Sequence, residues 1–99
     1  MSSLTAKKTN NTVEIDVIGQ FDYQCQRDFR NAYRYEPQGV VYVINMFRTE
    51  VLDSAALGML LLLRDHAGRE EANITIKGCR ENIMRIFQIA SFDKLFKFV

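Results

Sequence analysis

The pair Asp53 and Ser54 contains the residue types in this sequence that best fit a chemical task. It stands at the beginning of a predicted helix, where backbone N–H groups lack partners and the helix dipole places about half a positive charge. Such a position holds an anion well, including a phosphate attached to the serine itself. The small residues Ala55, Ala56 and Gly58 follow and leave the hydroxyl open to the active site of another protein. Two interpretations stand: Asp53 or Ser54 only caps the helix, or Ser54 accepts a phosphate.

Other residues with catalytic or metal-binding potential do not have the necessary spacing. His66 is the only histidine and follows Ser54 by twelve positions, which is about 18 Å along a continuous helix and too far for a Ser–His pair. Cys25, Cys79 and His66 lack the spacing of zinc ligands, and two cysteines are too few for a disulfide framework. We therefore expect reduced thiols, no bound metal, no cofactor and no catalytic activity.

The composition describes one domain over residues 1–99. Hydrophobic residues make up 47% of the chain and charged residues 25%, which are values of an ordinary globular domain. Thirteen basic and twelve acidic residues leave a net charge of +1, so no bulk field attracts nucleic acid. The longest apolar run covers residues 55–63, whereas a membrane span needs about 20 residues. Because no secretory signal is visible either, we expect a cytoplasmic protein that binds neither nucleic acid nor membrane.

The first half of the chain is predicted to form a β-hairpin and a helix. A weak strand at residues 4–8 and a stronger alternating strand at residues 13–17 flank the turn signal of residues 10–11. We expect residues 19–22 to break the second strand and Asp22 to cap the following helix. That helix has an apolar stripe and also three arginines, which indicate either a solvated face or a surface for an acidic partner: Arg27, Arg30 and Arg34.

The second half is predicted to alternate strands and helices. The apolar run of residues 40–44 is typical of a strand that is buried on both faces, and we expect an irregular connection over residues 45–52. A helix then runs from Asp53 and Ser54 to about Ala67 and stops at Gly68. A strand at residues 73–77, a helix with apolar residues Ile83, Ile86, Phe87 and Ala90, and a short strand in residues 96–99 complete the chain.

The order β-β-α-β-α-β-α-β predicts an α/β fold with a mixed, mostly parallel central sheet and helices packed on it. In such sheets, functional sites lie beyond the carboxyl ends of the strands, where the helices begin. Ser54 follows the most apolar strand and therefore stands at the position where a site is expected.

Three stretches of the sequence resemble the STAS family, which is named after sulphate transporters and anti-sigma factor antagonists. Residues 19–22 (Gly-Gln-Phe-Asp) are similar to the family's Gly-x-hydrophobic-Asp. Residues 52–58 (Leu-Asp-Ser-Ala-Ala-Leu-Gly), after the strand at 40–44, are similar to its Asp-Ser-small-small-Leu-Gly signature. Residues 74–78 and 83–87 resemble its last strand and helix. The resemblance is strongest to the stand-alone bacterial anti-sigma factor antagonists and implies a single STAS domain.

The resemblance implies a regulator that switches partners and catalyses nothing itself. The unmodified domain would bind an anti-sigma factor that is also a serine protein kinase, and phosphorylation of Ser54 by that kinase would release it. A metal-dependent serine phosphatase would reset the switch. Many members have a second serine or threonine at the position of Ala55, so a second adjacent acceptor is absent here.

We expect seven residues to contact the partner, on the resemblance and on the position of apolar side chains near the motif. Met59 is the adaptable apolar residue expected to be exposed on the Ser54 helix, and Phe47 is expected as an anchor in the preceding loop. The full set comprises Asp22, Asn45, Phe47, Asp53, Ser54, Ala55 and Met59. Two alternatives stay open: a STAS regulator of biofilm, motility or stress output with a different partner, and a sensor of a small ligand or nucleotide.

Overall fold

A computed structural model describes residues 2–99 and contains six strands and three α-helices. The strands are β1 (Ser2–Thr9), β2 (Thr12–Phe21), β3 (Val41–Asn45), β4 (Thr49–Leu52), β5 (Asn73–Lys77) and β6 (Lys97–Phe98). The helices are α1 (Gln26–Asn31), α2 (Ser54–Ala67) and α3 (Glu81–Ile89). Short 3-10 turns cover Tyr23–Cys25, Arg69–Glu71 and Phe92–Lys94. No helix within these described residues is long and apolar enough to cross a membrane.

The six strands form one mixed, mostly parallel sheet, as the sequence predicts. Strands β1 and β2 are an antiparallel hairpin that turns at Asn10, whose φ is 56°. The order across the sheet is β1-β2-β3-β5-β6, and all neighbours after the hairpin are parallel. The carboxyl ends of β2, β4 and β5 therefore meet at one edge, where helices α1, α2 and α3 begin.

The helices cover one face of this sheet. Alternate strand residues, such as Ile15 on β2 and Ile44 on β3, join the apolar side chains of the helices in a single buried cluster. The opposite face is partly polar and carries the ion pairs Arg48–Asp16, at 2.8 Å, and Lys77–Glu14, at 3.8 Å.

The prediction that residues 40–44 are buried on both faces is wrong. Tyr42 and Ile44 are fully buried, whereas Val41 and Val43 on the opposite face are only half-buried. The cause is the one-sided arrangement of the helices: right-handed crossovers that step in one direction across the sheet place every helix on the same face.

Two boundaries near the site also differ from the prediction. Residues 19–22 do not break β2, because the strand continues through a bulge at Gly19, where φ is 82°, and ends at Phe21. The connection of residues 45–52 is not wholly irregular, because β4 pairs with the extended end of β2. Thr49 secures this pairing through a buried hydrogen bond from its hydroxyl to the Val17 carbonyl, at 2.6 Å. The second half of β2 thus gains a partner that leads directly into α2.

Replacing Tyr42 with phenylalanine is expected to stabilise the fold by about 1 kcal/mol, because its buried hydroxyl has no hydrogen-bond partner within residues 2–99. Burial, with help from Glu36 and Tyr33, raises the pKa of Tyr42 from 10.0 to about 12. Because the phenol ionises near pH 10.0 when unfolded and near 12 when folded, this group leaves the stability independent of pH below 10 and lowers it as pH rises from 10 through about 12. In urea unfolding, Tyr42→Phe should be more stable than the wild type and should lose less stability between pH 10 and about 12. Tyr35→Phe, at a residue 83% exposed, is the control, and a loss of stability in Tyr42→Phe would contradict the prediction.

Candidate functional site

The first turn of α2 separates the capping residue from the exposed hydroxyl. Asp53 is the N-cap, with an extended backbone, and its carboxylate accepts a hydrogen bond from the Ala56 N–H at 3.1 Å. Ser54 is the first helical residue and is exposed. Within the described residues its hydroxyl has no hydrogen-bond partner. The hydroxyl is therefore not needed to begin the helix and is open to an incoming reagent.

Asp22 lies beside this turn, at the same edge of the sheet. The strand pairing places Phe21 opposite Leu52, and the Asp53 N–H donates to the Phe21 carbonyl at 3.3 Å. The Asp22 carboxylate accepts from the Gln24 N–H at 3.0 Å and caps the turn that leads into α1. Asp22 and Asp53 thus lie at the same edge of the sheet, and each carboxylate caps the turn or helix that follows it.

Asn45 and Phe47 belong to the turn between β3 and β4. The Asn45 side-chain oxygen accepts from the Phe47 N–H at 3.1 Å, which holds this turn in place. Phe47 is 63% exposed, and its ring lies against Gly78, directly after β5. A Cβ atom on Gly78 would come within 2.8 Å of that ring. This contact places the Phe47 ring beside the end of β5, away from Asp22 at the end of β2.

A groove between α1 and α2 begins beside Ala55, directly after Ser54. It encloses about 440 Å³ at this end. Met59 lies on its floor and is only 6% exposed, so the expectation that Met59 is the exposed apolar residue of α2 is wrong. Leu62, one turn further on, is 57% exposed and takes that place.

Sequence reasoning did not identify Tyr23, and it assigned Gly58 only to leaving the Ser54 hydroxyl open, although both residues line this groove. Tyr23 is 66% exposed and follows the capping Asp22, and Gly58 leaves a gap on the surface of α2. The available signal was the helical spacing of Ser54, Gly58 and Leu62, which places all three on one face of α2. Because α2 is apolar nearly all round, that spacing does not show which face is exposed.

The remaining candidate groups do not converge on Ser54. Helix α2 is continuous to Ala67 and ends at Gly68, where φ is 114°. His66 is therefore at the opposite end, where its Nε2 atom lies 2.7 Å from the Glu36 carbonyl oxygen and its ring packs on Tyr33. Cys25 is buried, and burial raises the pKa of Cys79 to about 11, so both thiols are poor nucleophiles. Residues 2–99 contain no cluster of side chains that could hold a metal ion.

Replacing Asp53 with alanine is expected to destabilise the fold by about 1 kcal/mol through loss of the N-cap. Asp53→Asn keeps an acceptor oxygen for the Ala56 N–H and should retain most of that stability. Urea unfolding of both variants measures the capping role. A partner affinity that falls in Asp53→Asn while the stability is retained would assign the charge of Asp53 to binding. Equal stability of Asp53→Ala and the wild type would contradict the capping role.

Comparisons with known proteins agree with this fold. A family model described as "Mlab, STAS domain" matches residues 4–97. A STAS-domain-containing protein of Pseudomonas aeruginosa (strain UCBPP-PA14) is 45% identical over 84 residues, which cover 84% of this chain and 83% of that protein.

Two solved structures share the architecture. An anti-sigma factor antagonist from Mycobacterium paratuberculosis superposes with a TM-score of 0.81 at 17% identity, over 99% of this chain and 85% of that one. The Bacillus cell fate determinant SpoIIAA in its phosphorylated form superposes with a TM-score of 0.70 at 16% identity, over 98% of this chain and 91% of that one. At these identities the structures establish a common fold. The family model and the 45% identical relative go further, and on them the chain belongs to the STAS domain family.

Proposed function

We propose that this chain is a phosphorylation-controlled partner-switching regulator, an anti-sigma factor antagonist of the bacterial cytoplasm. With Ser54 unmodified it binds an anti-sigma factor that is also a serine protein kinase. Phosphorylation of Ser54 ends this binding, and a metal-dependent serine phosphatase restores it. The chain is thus the substrate of two enzymes and is not itself a catalyst.

One observation supports the proposal above all: the Ser54 hydroxyl is exposed and unbonded among the described residues, while Asp53 supplies the cap. A kinase can reach this oxygen without opening the core. The backbone N–H groups and the dipole of the 14-residue helix α2 accommodate a phosphate at its first residue, so the modified domain stays folded. The fold is shared with SpoIIAA, whose phosphorylated form has been solved.

The direct test locates the phosphate. Immobilised Ser54→Ala, which cannot be released by modification, is used to capture the partner from the cells that produce the chain, and mass spectrometry identifies it. The purified partner is then mixed with wild-type chain and ATP, and the phosphorylated residue is mapped by tandem mass spectrometry. We expect one phosphate, on Ser54, and none on Ser54→Ala.

Phosphate on another residue, or equal partner binding by the phosphorylated and unmodified chains, would refute the switch. The identity of the captured protein decides between the alternatives: an anti-sigma factor supports the proposal. A partner from a biofilm, motility or stress pathway would keep the switch and change its output.

A further inference from the structure

The groove between α1 and α2 continues along most of the length of α2. Its first part, beside Ala55, encloses about 440 Å³, and the adjoining part, which reaches His66, encloses about 340 Å³. Both parts share Gln26, Met59 and Leu62 in their walls. The lining is mainly apolar, and it includes the buried Met59 and the exposed Leu62 and Tyr23. An elongated apolar groove between two helices has the shape that accepts a third helix.

A cluster of three arginines borders the groove on the side of α1. Arg27, Arg30 and Arg34 line a hollow on α1 and the turn that follows, and Arg30 also lines the groove itself. None of these three guanidinium groups forms an ion pair within the described residues. Like charges at this spacing repel one another. Acidic side chains along the edge of an incoming segment would relieve that repulsion, so the charge favours an acidic partner.

Gly58 keeps the groove open. It lies in the middle of α2, where glycine is unfavourable compared with alanine, and a Cβ atom built there meets nothing within 4 Å. Neither a close approach nor an unusual backbone conformation accounts for the glycine. A side chain at this position would instead extend into the groove that Gly58 lines with Ala55 and Leu62.

We propose that this groove is the docking site for an amphipathic helix of the partner, whose apolar face fills the groove and whose acidic row faces the arginines of α1. The proposal rests on the proposed function, since it names the surface of the partner that the Ser54 phosphate releases. A phosphate on Ser54 places a dianion at the Ala55 end of the groove, close to Asp53 and Asp22. The phosphate would repel the acidic side chains of the docked helix. It would leave the contacts of the helix's apolar face unchanged.

The test uses a designed peptide of about 16 residues, long enough to form a helix, with a leucine face and a row of glutamates. The matched peptide has lysines in place of the glutamates. Titration into the isotopically labelled full chain, followed by NMR, should shift the amide signals of Gln26, Gly58 and Leu62. We expect the glutamate peptide to bind at least about tenfold more tightly than the lysine peptide, because only it pairs with the arginines.

Two variants and their controls locate the site. Gly58→Leu should fill the groove and abolish peptide binding, while it raises the midpoint of urea unfolding because glycine is removed from the helix. Reversal of Arg27 and Arg30 to glutamate should invert the peptide preference, whereas the same reversal of Arg80, which precedes α3, and Arg85, on α3, should not. Equal binding of both peptides, shifts confined to the open sheet face, or normal binding by Gly58→Leu would overturn the proposal. Neither peptide requires a kinase and the chain is used unmodified, so these outcomes do not depend on whether Ser54 proves to be a phosphorylation site.

Discussion

A single phosphate on Ser54 is expected to weaken binding of the partner about 1000-fold, which corresponds to about 4 kcal/mol. The added group has a charge of about −1.5 to −2 and is strongly hydrated. A partner packed against the first turn of α2 would have to desolvate it beside the carboxylate of Asp53, and an unpaired buried charge costs several kcal/mol. Because the hydroxyl itself is exposed, the effect requires no rearrangement of the fold.

Isothermal titration of the captured partner with unmodified and phosphorylated chain measures this effect directly. Ser54→Ala should bind as the unmodified chain does, and Ser54→Asp should bind more weakly, although by less than the phosphorylated chain because it adds one charge. Ser91→Asp, at an exposed residue after the far end of α3, is the control for a general charge effect. A phosphorylated chain that binds within about threefold of the unmodified chain would be too close for a switch and would contradict the prediction.

Replacing Phe87 with alanine is expected to destabilise the fold by about 3–5 kcal/mol. Phe87 is fully buried. The centroid of its ring lies 5.6 Å from that of Phe92 and 5.2 Å from that of Phe98. Phe96 extends the cluster through Phe92. These rings connect α3 to the strand β6 at the edge of the sheet, so their loss should loosen the whole carboxyl-terminal part. A domain of this size has a total stability of about 5–15 kcal/mol.

Urea unfolding followed by circular dichroism measures this loss. Ile89→Ala on the same helix, at a residue 79% exposed, should change the stability by no more than about 0.5 kcal/mol. A loss below about 1 kcal/mol for Phe87→Ala would show that the neighbouring rings close the cavity, contrary to the expectation.

Much of the fold follows from local patterns in the sequence. Alternation over residues 13–17, the turn at Asn10 and the stop at Gly68 each act within a few neighbours, and the structure confirms all three. Strand β4 was missed because its residues do not alternate: Thr49 and Leu52 are buried, while Glu50 and Val51 between them are exposed. Its existence depends on a distant partner, the extended end of β2 beyond the bulge at Gly19, and no local pattern contains that information.

The candidate site was predictable where one element defines it and unpredictable where two elements meet. Asp53 and Ser54 stand at a helix start that the sequence marks by itself. The exposure of Leu62 and the burial of Met59 depend instead on where α1 packs against α2. An apolar helix gives no sign of which stripe a neighbour covers, so the groove becomes visible only in three dimensions.

Asp53 caps helix α2 and Ser54 is the exposed residue after it, and this separation has an evolutionary consequence. The residue that caps the helix and the residue that would receive the phosphate are different, so replacing the serine leaves the cap in place. If Ser54 acts as proposed, a lineage can therefore hold the regulator in its binding state by replacing the serine with alanine, without a compensating change elsewhere. On the proposed function, the residue that controls signalling and the residue that caps the helix can therefore change independently.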